Sequence, residues 1–275
     1  MKRIVFPETW TADEWYGFTR HHFDFEGCKA WIVEPKYPAG DGRWSWCTVW
    51  PEAFVRRVGI VALLEHGFYH VHVDAFQFRA SPEGVALMGR FQELLVKLGL
   101  SPKANLIGMS WGGFFSLRYT EEHPEDVCAV YLDAPVCDAA DPSQSAEHRS
   151  YSIREAWKMT ADEIRQSPLN PLNNVQPILD AHIPIYAVTG EDDQVVSVWH
   201  NFNILEERLK AAKPDLTIEH HDAWATSPGL TYADLTIVRR DAWGHHPHGF
   251  DIEYISDLEF FHQSVHGWDY LRSEK

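Results

Sequence analysis

The sequence is poor in positive charge and has no long apolar segment. Its 275 residues include 24 lysines and arginines against 40 aspartates and glutamates, so the formal net charge at pH 7 is −16. This balance argues against nucleic acids and anionic membranes as partners, and against a highly anionic substrate unless a local basic pocket overrides the average. No apolar run reaches the length of a membrane span, and residues 1–8 do not have the pattern of a signal peptide.

Cysteine is scarce as well. Cys28, Cys47, Cys128 and Cys137 lack the spacing of a metal site, and two of them lie in apparent strands. Buried free thiols in a reducing cytoplasm fit this pattern best, and we therefore expect a cytoplasmic protein. The alternative is a mature secreted form whose signal has been removed.

Short apolar segments alternate with amphipathic ones along most of the chain. After an antiparallel pair of strands, this alternation predicts a single domain over residues 1–275 with a mostly parallel sheet covered by helices on both faces. The predicted strands cover residues 16–25, 28–34, 43–50, 68–75, 105–109, 127–133, 184–189 and 235–239. The predicted helices cover residues 51–65, 82–97, 111–123, 197–212 and 252–265, the second of them capped by Ser81.

Two segments exceed what a simple connection requires. Residues 138–180 are polar and contain short helical patterns near 150–159 and 160–166, and we interpret them as a small lid over the site. Residues 213–234 indicate an extra excursion or hairpin beside the site.

Residues 108–113 read Gly-Met-Ser-Trp-Gly-Gly and follow an apolar run. The pattern Gly-x-Ser-x-Gly between a strand and a helix is typical of a tight turn that projects the serine hydroxyl into a cleft. Gly108 and Gly112 leave the room that side chains would take. Ser110 is therefore the candidate nucleophile, and the alternative is a structural turn with an ordinary buried serine.

A serine nucleophile needs a base to take its proton and an acid to orient that base. At the end of a predicted strand we favour Asp193 as the acid over its neighbour Asp192, with Glu191 more remote. His245, directly after the last predicted strand, is the best candidate for the base. In such sheets the site lies at the carboxyl ends of the strands, where all these residues fall.

Other polar residues near these positions provide alternatives. Asp133 and Asp138 follow another strand, and they are the reserve for the acid role or brace the site. His245, His246 and His248 could bind zinc, but no carboxylate or cysteine cluster stands beside them and neighbouring histidines in a tight turn diverge. We therefore expect no metal and no cofactor. The pairs at 21–22 and 220–221 are interpreted as surface or strand histidines.

Backbone N–H groups are the expected donors to an oxyanion. The N–H of Trp111, next to the nucleophile, is the first. The second should come from the loop after the third strand, where Val49 and Trp50 have an N–H and Pro51 has none, and we favour Trp50. The chain has twelve tryptophans, of which most should build the core and some could line a cleft that suits sugar rings or aryl groups.

The order nucleophile, acid, base along the chain is that of the α/β-hydrolase fold, and the chain resembles serine α/β-hydrolases over nearly its full length. The motifs at 108–113, 133–138 (Asp-Ala-Pro-Val-Cys-Asp) and 244–249 (Gly-His-His-Pro-His-Gly) resemble a poorly characterised bacterial group often found with carbohydrate-degrading enzymes and regarded as esterases. Members of that group often carry arginine after the serine and in the third strand, where this chain has Trp111 and Cys47 or Thr48.

The sequence thus predicts a serine esterase that works through an acyl-enzyme. The expected partner is a small-molecule ester, with a short acyl group such as acetyl on a sugar or aryl alcohol. A peptidase, a carbon–carbon bond hydrolase or an acyltransferase could use the same residues. A non-catalytic binding protein on the same scaffold is the alternative outside enzymes.

Overall fold

The computed structural model describes residues 4–143, 146–222 and 233–245, and the statements on structure refer to these residues. The strands are β1 (Thr11–Trp15), β2 (Phe18–Phe25), β3 (Cys28–Glu34), β4 (Trp44–Cys47), β5 (Tyr69–Val73), β6 (Ala104–Met109), β7 (Val127–Asp133), β8 (Ile185–Gly190), β9 (Ile218–Asp222) and β10 (Leu235–Arg240). The helices are α1 (Ile60–Glu65), α2 (Pro82–Leu98), α3 (Trp111–Glu122), α4 (Glu147–Trp157), α5 (Ala161–Gln166), α6 (Gln176–Asp180) and α7 (Phe202–Ala212).

The described strands form one sheet in the order β1-β2-β3-β5-β4-β6-β7-β8-β10-β9. The pairs from β1 to β5 are antiparallel, and every pair from β5 to β9 along this order is parallel. The predicted mostly parallel sheet with an antiparallel N-terminal part is therefore confirmed. Because the parallel strands share one direction, their carboxyl ends form one edge of the sheet, where the candidate residues collect.

Each face of the sheet carries its own apolar core. Successive side chains of a strand point to opposite faces, so Trp46 packs into the larger core and its neighbour Cys47 into the smaller one. Helix α2 lies against the larger core and α1 against the smaller one. The predicted cap of α2 is confirmed, because Ser81 Oγ accepts from the N–H of Gly84. The packing of helices against both faces of the sheet holds the strand ends in place.

The four cysteines are free thiols, as expected, with Cys128 half-buried and the others buried. Burial raises the pKa of Cys47 and of Cys128 to about 12. None of the helices in the described part of the chain has the length and apolarity of a membrane-spanning segment.

Some predicted elements are wrong. Residues 51–59 form turns rather than the first half of a helix, because Phe54 (φ 53°) and Gly59 (φ 74°) have left-handed backbones that a right-handed helix does not accommodate. Of residues 213–234, predicted as an extra excursion or hairpin, the described part includes β9, which pairs with β10 in parallel. Strand β1 was not predicted, because four of its five residues are exposed. The helix predicted at 252–265 lies outside the described residues.

Residues 138–180 contain three short helices, α4 to α6, of which the first two correspond to the predicted helical patterns. Helix α5 begins with a capping box between Thr160 and Glu163. The side chain of Trp157, at the end of α4, stacks on Phe114 of α3, with ring centroids 5.8 Å apart. Helix α4 is therefore packed against the helix that follows Ser110.

Candidate active site

Ser110 lies in the turn between β6 and α3 with φ 51° and ψ −116°. A positive φ is unfavourable for serine and persists only where surrounding contacts hold it. Here the N–H of Ser110 donates to the carbonyl of Asp133 (2.8 Å), and its carbonyl accepts from the N–H groups of Gly113 and Val136. The turn is thus fixed by the end of β7 and the segment after it.

The glycines around Ser110 permit close packing, although not all to the same extent. A Cβ on Gly108 would lie 2.7 Å from the carbonyl oxygen of Gly112. A Cβ on Gly112 would come no nearer than 3.3 Å to Thr48, whereas one on Gly113 would lie 2.4 Å from Pro135. Sequence reasoning chose Gly108 and Gly112, and the structure shows that Gly113 has the tighter surroundings of the last two.

The structure brings Ser110, His245 and Asp193 together in one chain of hydrogen bonds. His245 Nε2 lies 3.0 Å from Ser110 Oγ, and His245 Nδ1 lies 2.8 Å from Asp193 Oδ2. These contacts suit the tautomer in which Nδ1–H donates to the carboxylate and Nε2 accepts from the hydroxyl. In that arrangement the serine proton has an acceptor within reach.

The carboxylate of Asp193 is buried and doubly anchored. Its Oδ1 accepts from the N–H groups of Val195 (2.8 Å) and Val196 (2.9 Å), which leaves Oδ2 for the histidine. Gly190, at the end of β8, permits the close approach of the segment after β10 that carries His245, because a Cβ there would lie 2.2 Å from the carbonyl oxygen of Gly244. The acid and the base are therefore set side by side by two adjacent strands.

The other candidate acids have different surroundings. Asp192 is exposed, and Glu191 pairs with Arg239 at 3.0 Å. Asp133 accepts from the hydroxyl of Tyr131, and Asp138 accepts from the N–H of Ala140. Burial also raises the pKa of Asp138.

The loop after β4 lies against the start of α3, as an oxyanion site requires. Trp111 is the first residue of α3, and its N–H therefore has no acceptor within the helix. Thr48 Oγ1 donates to the carbonyl of Gly112 (2.9 Å), which ties this loop to the helix. Trp50 follows with φ 61°, and its side chain is 45% exposed.

Left-handed non-glycine residues recur at this edge of the sheet. Five of the parallel strands, β4, β5, β6, β7 and β10, are followed within six residues by at least one of them. They are Trp50, Arg79, Ser110, Ala134 and Ala242. Such backbone conformations are common at functional sites, and in this chain they also occur in turns away from this edge, such as those of Tyr16, Glu26 and His182.

An aromatic wall beside Ser110 is made of Trp50 in the loop after β4, Phe76 in the short helical turn after β5 and Trp111 at the start of α3. The rings of Trp50 and Phe76 lie 5.4 Å apart, and those of Phe76 and Trp111 lie 5.5 Å apart. The guanidinium of Arg79 lies over Phe76, with Cζ 4.0 Å from the ring centroid. Sequence reasoning expected aromatic side chains near the cleft but missed Phe76 and Arg79, because nothing in the sequence fixes where the loop after β5 folds.

A buried ion pair connects α4 to the loop that carries Asp193. Arg149 of α4 pairs with Asp141 at 3.1 Å, and its other terminal nitrogen donates to the carbonyl of Val195 (3.2 Å). The side chain of Asn201 also donates to Asp141. The sequence contains no signal for this network, because its members come from distant segments.

Neither nitrogen of the His245 ring is directed at a possible metal, since one faces Asp193 and the other Ser110. His246 and His248 lie outside the described residues. Within the described part of the chain, one group with metal-ligand spacing combines His123, Glu125 and Asp126. It lies beyond the far end of the 12-residue helix α3, about 18 Å along the helix from Ser110.

Comparison with known proteins agrees with this architecture. Residues 60–178 match the family described as alpha/beta hydrolase fold. No curated protein matches the chain. With its sheet topology and the tight turn at Ser110 between β6 and α3, the chain has the α/β-hydrolase fold.

Solved structures with the same fold cover nearly the whole chain. An S-formylglutathione hydrolase from Agrobacterium tumefaciens is 13% identical with a TM-score of 0.60, over 94% of this chain and 98% of that one. An esterase is 16% identical with a TM-score of 0.56, over 95% of this chain and 78% of that one. A puromycin hydrolase is 14% identical with a TM-score of 0.61, over 90% of this chain and 39% of that one. At these identities the similarity is one of fold.

Proposed function

We propose that the protein is a serine esterase that hydrolyses carboxylic esters through an acyl-enzyme. The observation that carries this proposal is the hydrogen-bonded series from Ser110 through His245 to Asp193 at the carboxyl edge of the sheet. The neighbouring esterase and S-formylglutathione hydrolase structures support it.

Each residue has its own step in the proposed reaction. Ser110 Oγ attacks the carbonyl carbon of the ester while His245 Nε2 takes its proton, and the carboxylate of Asp193 stabilises the imidazolium. The N–H groups of Trp111 and Trp50 donate to the oxyanion. His245 then protonates the leaving alcohol, and a water molecule, activated by the same ring, releases the acid and restores the serine.

The aromatic wall supports a substrate with a flat or ring-shaped alcohol, such as an aryl alcohol or a sugar. Aromatic faces stack on both classes of ring. We propose a short acyl group such as acetyl, a reaction without a cofactor, a cytoplasmic location and a lid role for residues 138–180.

The experiment is a series of nitrophenyl esters of increasing acyl length, followed by acetylated oligosaccharides with the freed acetate measured. We expect the acetyl ester to give the highest kcat/KM, with turnover lost in the Ser110→Ala variant. If short esters react no faster than background while a peptide substrate is cleaved, the esterase proposal is wrong and a peptidase takes its place.

A further inference from the structure

Arg79 lies beside the candidate active site, after the short helical turn that follows β5. Its Cζ is 4.0 Å from the centroid of the Phe76 ring and 5.7 Å from that of Trp111, the residue after Ser110. A cation on the face of an aromatic ring is favourable and orients the guanidinium. The positive charge therefore lies over the middle ring of the aromatic wall, within 6 Å of the ring of the residue that follows Ser110.

Among the residues that the structure describes, the guanidinium has neutral partners only. Nε donates to Ser152 Oγ (2.5 Å), and Nη1 donates to the carbonyl of Phe76. No carboxylate pairs with Arg79, and no acceptor contacts its Nη2, anywhere in the ranges 4–143, 146–222 and 233–245. For a partly buried arginine of so acidic a chain, with a net charge of −16, the lack of an acidic partner among these described residues is unusual.

Contacts with neighbouring residues hold Arg79 in place, unlike a surface arginine with a freely moving side chain. Arg79 and Ala80 have φ values of 49°, a backbone that is costly for both residue types. The indole N–H of Trp157 in α4 donates to the carbonyl of Arg79 (2.9 Å). Burial also lowers the pKa of Arg79 from its usual value, because partial desolvation disfavours the charge. A guanidinium held in this way can bind an anion, which would supply the missing counter-charge.

We propose that Arg79 determines specificity by binding a carboxylate on the alcohol portion of the ester, whose ring lies along Trp50, Phe76 and Trp111. The Nη2 N–H groups donate to this carboxylate, and the ring places the ester carbonyl at Ser110. This inference rests on the proposed esterase function and adds a substrate class to it. The negative net charge of the chain repels anionic ligands in general, so the attraction for an anionic substrate has to come from this local cation.

The test compares 4-acetoxybenzoate, which carries the carboxylate, with its neutral methyl ester, in the wild type and in Arg79→Gln. For each ester, kcat/KM of the variant is divided by kcat/KM of the wild type, so the different intrinsic reactivities of the two esters cancel. We expect Arg79→Gln to lower kcat/KM for the anionic ester about tenfold, mainly through KM, and to change the neutral ester by less than about twofold. Added salt should weaken the wild-type preference.

Three further variants separate charge from structure. Arg79→Lys keeps the charge and should retain part of the preference, while Ser152→Ala removes a hydrogen bond of Arg79 without removing charge and should retain most of it. Arg90→Gln, at an arginine of α2 paired with Glu26, should change neither ester.

Equal loss of both esters in Arg79→Gln, or an unchanged ratio, overturns the proposal for Arg79. Turnover of the neutral ester that depends on Ser110 leaves the proposed function standing in either case. If the wild type hydrolyses neither ester, nor any in the nitrophenyl series, the proposed function fails and this inference with it.

Discussion

At the scale of single residues, one carboxylate oxygen distinguishes Asp193 from its neighbours. Asp193 Oδ1 is occupied by two backbone N–H groups, and Oδ2 faces the ring of His245. The adjacent Asp192 is exposed. Two neighbouring aspartates therefore differ in what they contact, which gives a direct comparison.

Asp193→Asn should lower kcat by about 10³–10⁴-fold while the protein remains folded. The amide oxygen can still accept from the N–H groups of Val195 and Val196, which places the NH₂ group against His245 Nδ1 and selects the wrong tautomer. Steady-state kinetics on a nitrophenyl acetate measure this. Asp192→Asn is the matched control and should leave kcat nearly unchanged, and an equal loss in both variants would contradict the assignment.

Gly113→Ala should destabilise the fold by about 1–3 kcal/mol, because the new Cβ would lie 2.4 Å from Pro135 in a tightly packed turn. Gly112→Ala meets its nearest atom, Thr48 Oγ1, only at 3.3 Å and should cost less. Thermal unfolding of the two variants gives the comparison. A larger loss of stability in Gly112→Ala would show that the turn does not pack as described.

At the scale of elements, two side chains of α4 form hydrogen bonds with the surroundings of the candidate site. Arg149 connects it to the loop that carries Asp193, and Trp157 connects it to Arg79. Because the Arg149–Asp141 pair is buried, the loss of one partner leaves a charge without compensation.

Arg149→Met should lower the free energy of unfolding by about 3–5 kcal/mol, since Asp141 remains buried without its cation. Arg165→Met, in the adjacent helix α5, removes an exposed pair with Asp162 and should cost about 0–1 kcal/mol. Urea unfolding of both variants is the measurement. Similar values for the two would show that the buried pair contributes nothing beyond a surface one.

Local signals explain which elements could be predicted. Ser81 and the glycine at residue 99 delimit α2 by cap chemistry, which acts within a few residues. Phe54, Val55 and Val58 have helical spacing, yet they pack into the smaller core from turns, because tertiary contacts there override the local pattern. Strand β1 is polar and depends on its pairing with β2, which no local pattern records.

At the scale of the whole molecule, alternation of short apolar strands and helices was sufficient to predict the sheet and the edge where the site lies. The meeting of Ser110, Asp193 and His245 could be expected, because all three follow strands whose carboxyl ends share an edge. The places of Arg79 and Arg149 could not, since they depend on how loops from distant segments pack against each other.

The folded molecule should protect its thiols. Burial raises the pKa of Cys47 and Cys128 to about 12, so at pH 8 these groups stay protonated in the fold, whereas in the unfolded chain, where the pKa is about 8.5, they are partly ionised. Below about pH 8.5 the raised pKa of these thiols costs the fold little stability, and as pH rises from there toward 12 their ionisation in the unfolded chain progressively destabilises the fold.

A disulfide reagent at pH 8 should react slowly with the native protein. After denaturation in guanidinium it should react with four thiols. The Ser110→Ala variant should give the same native rate, because its change lies outside the thiol environments. Rapid reaction of Cys47 in the native protein would contradict the described packing of the smaller core.

The most direct test of the central claim is the covalent labelling of Ser110. We predict that a fluorophosphonate probe adds one equivalent to the native protein, measured by intact mass, and that peptide mapping places it on Ser110. Labelling should be lost in Ser110→Ala and strongly slowed in His245→Ala, because the serine then lacks its base. Absence of labelling in the native protein, or labelling that persists in Ser110→Ala together with ester turnover, would contradict the account.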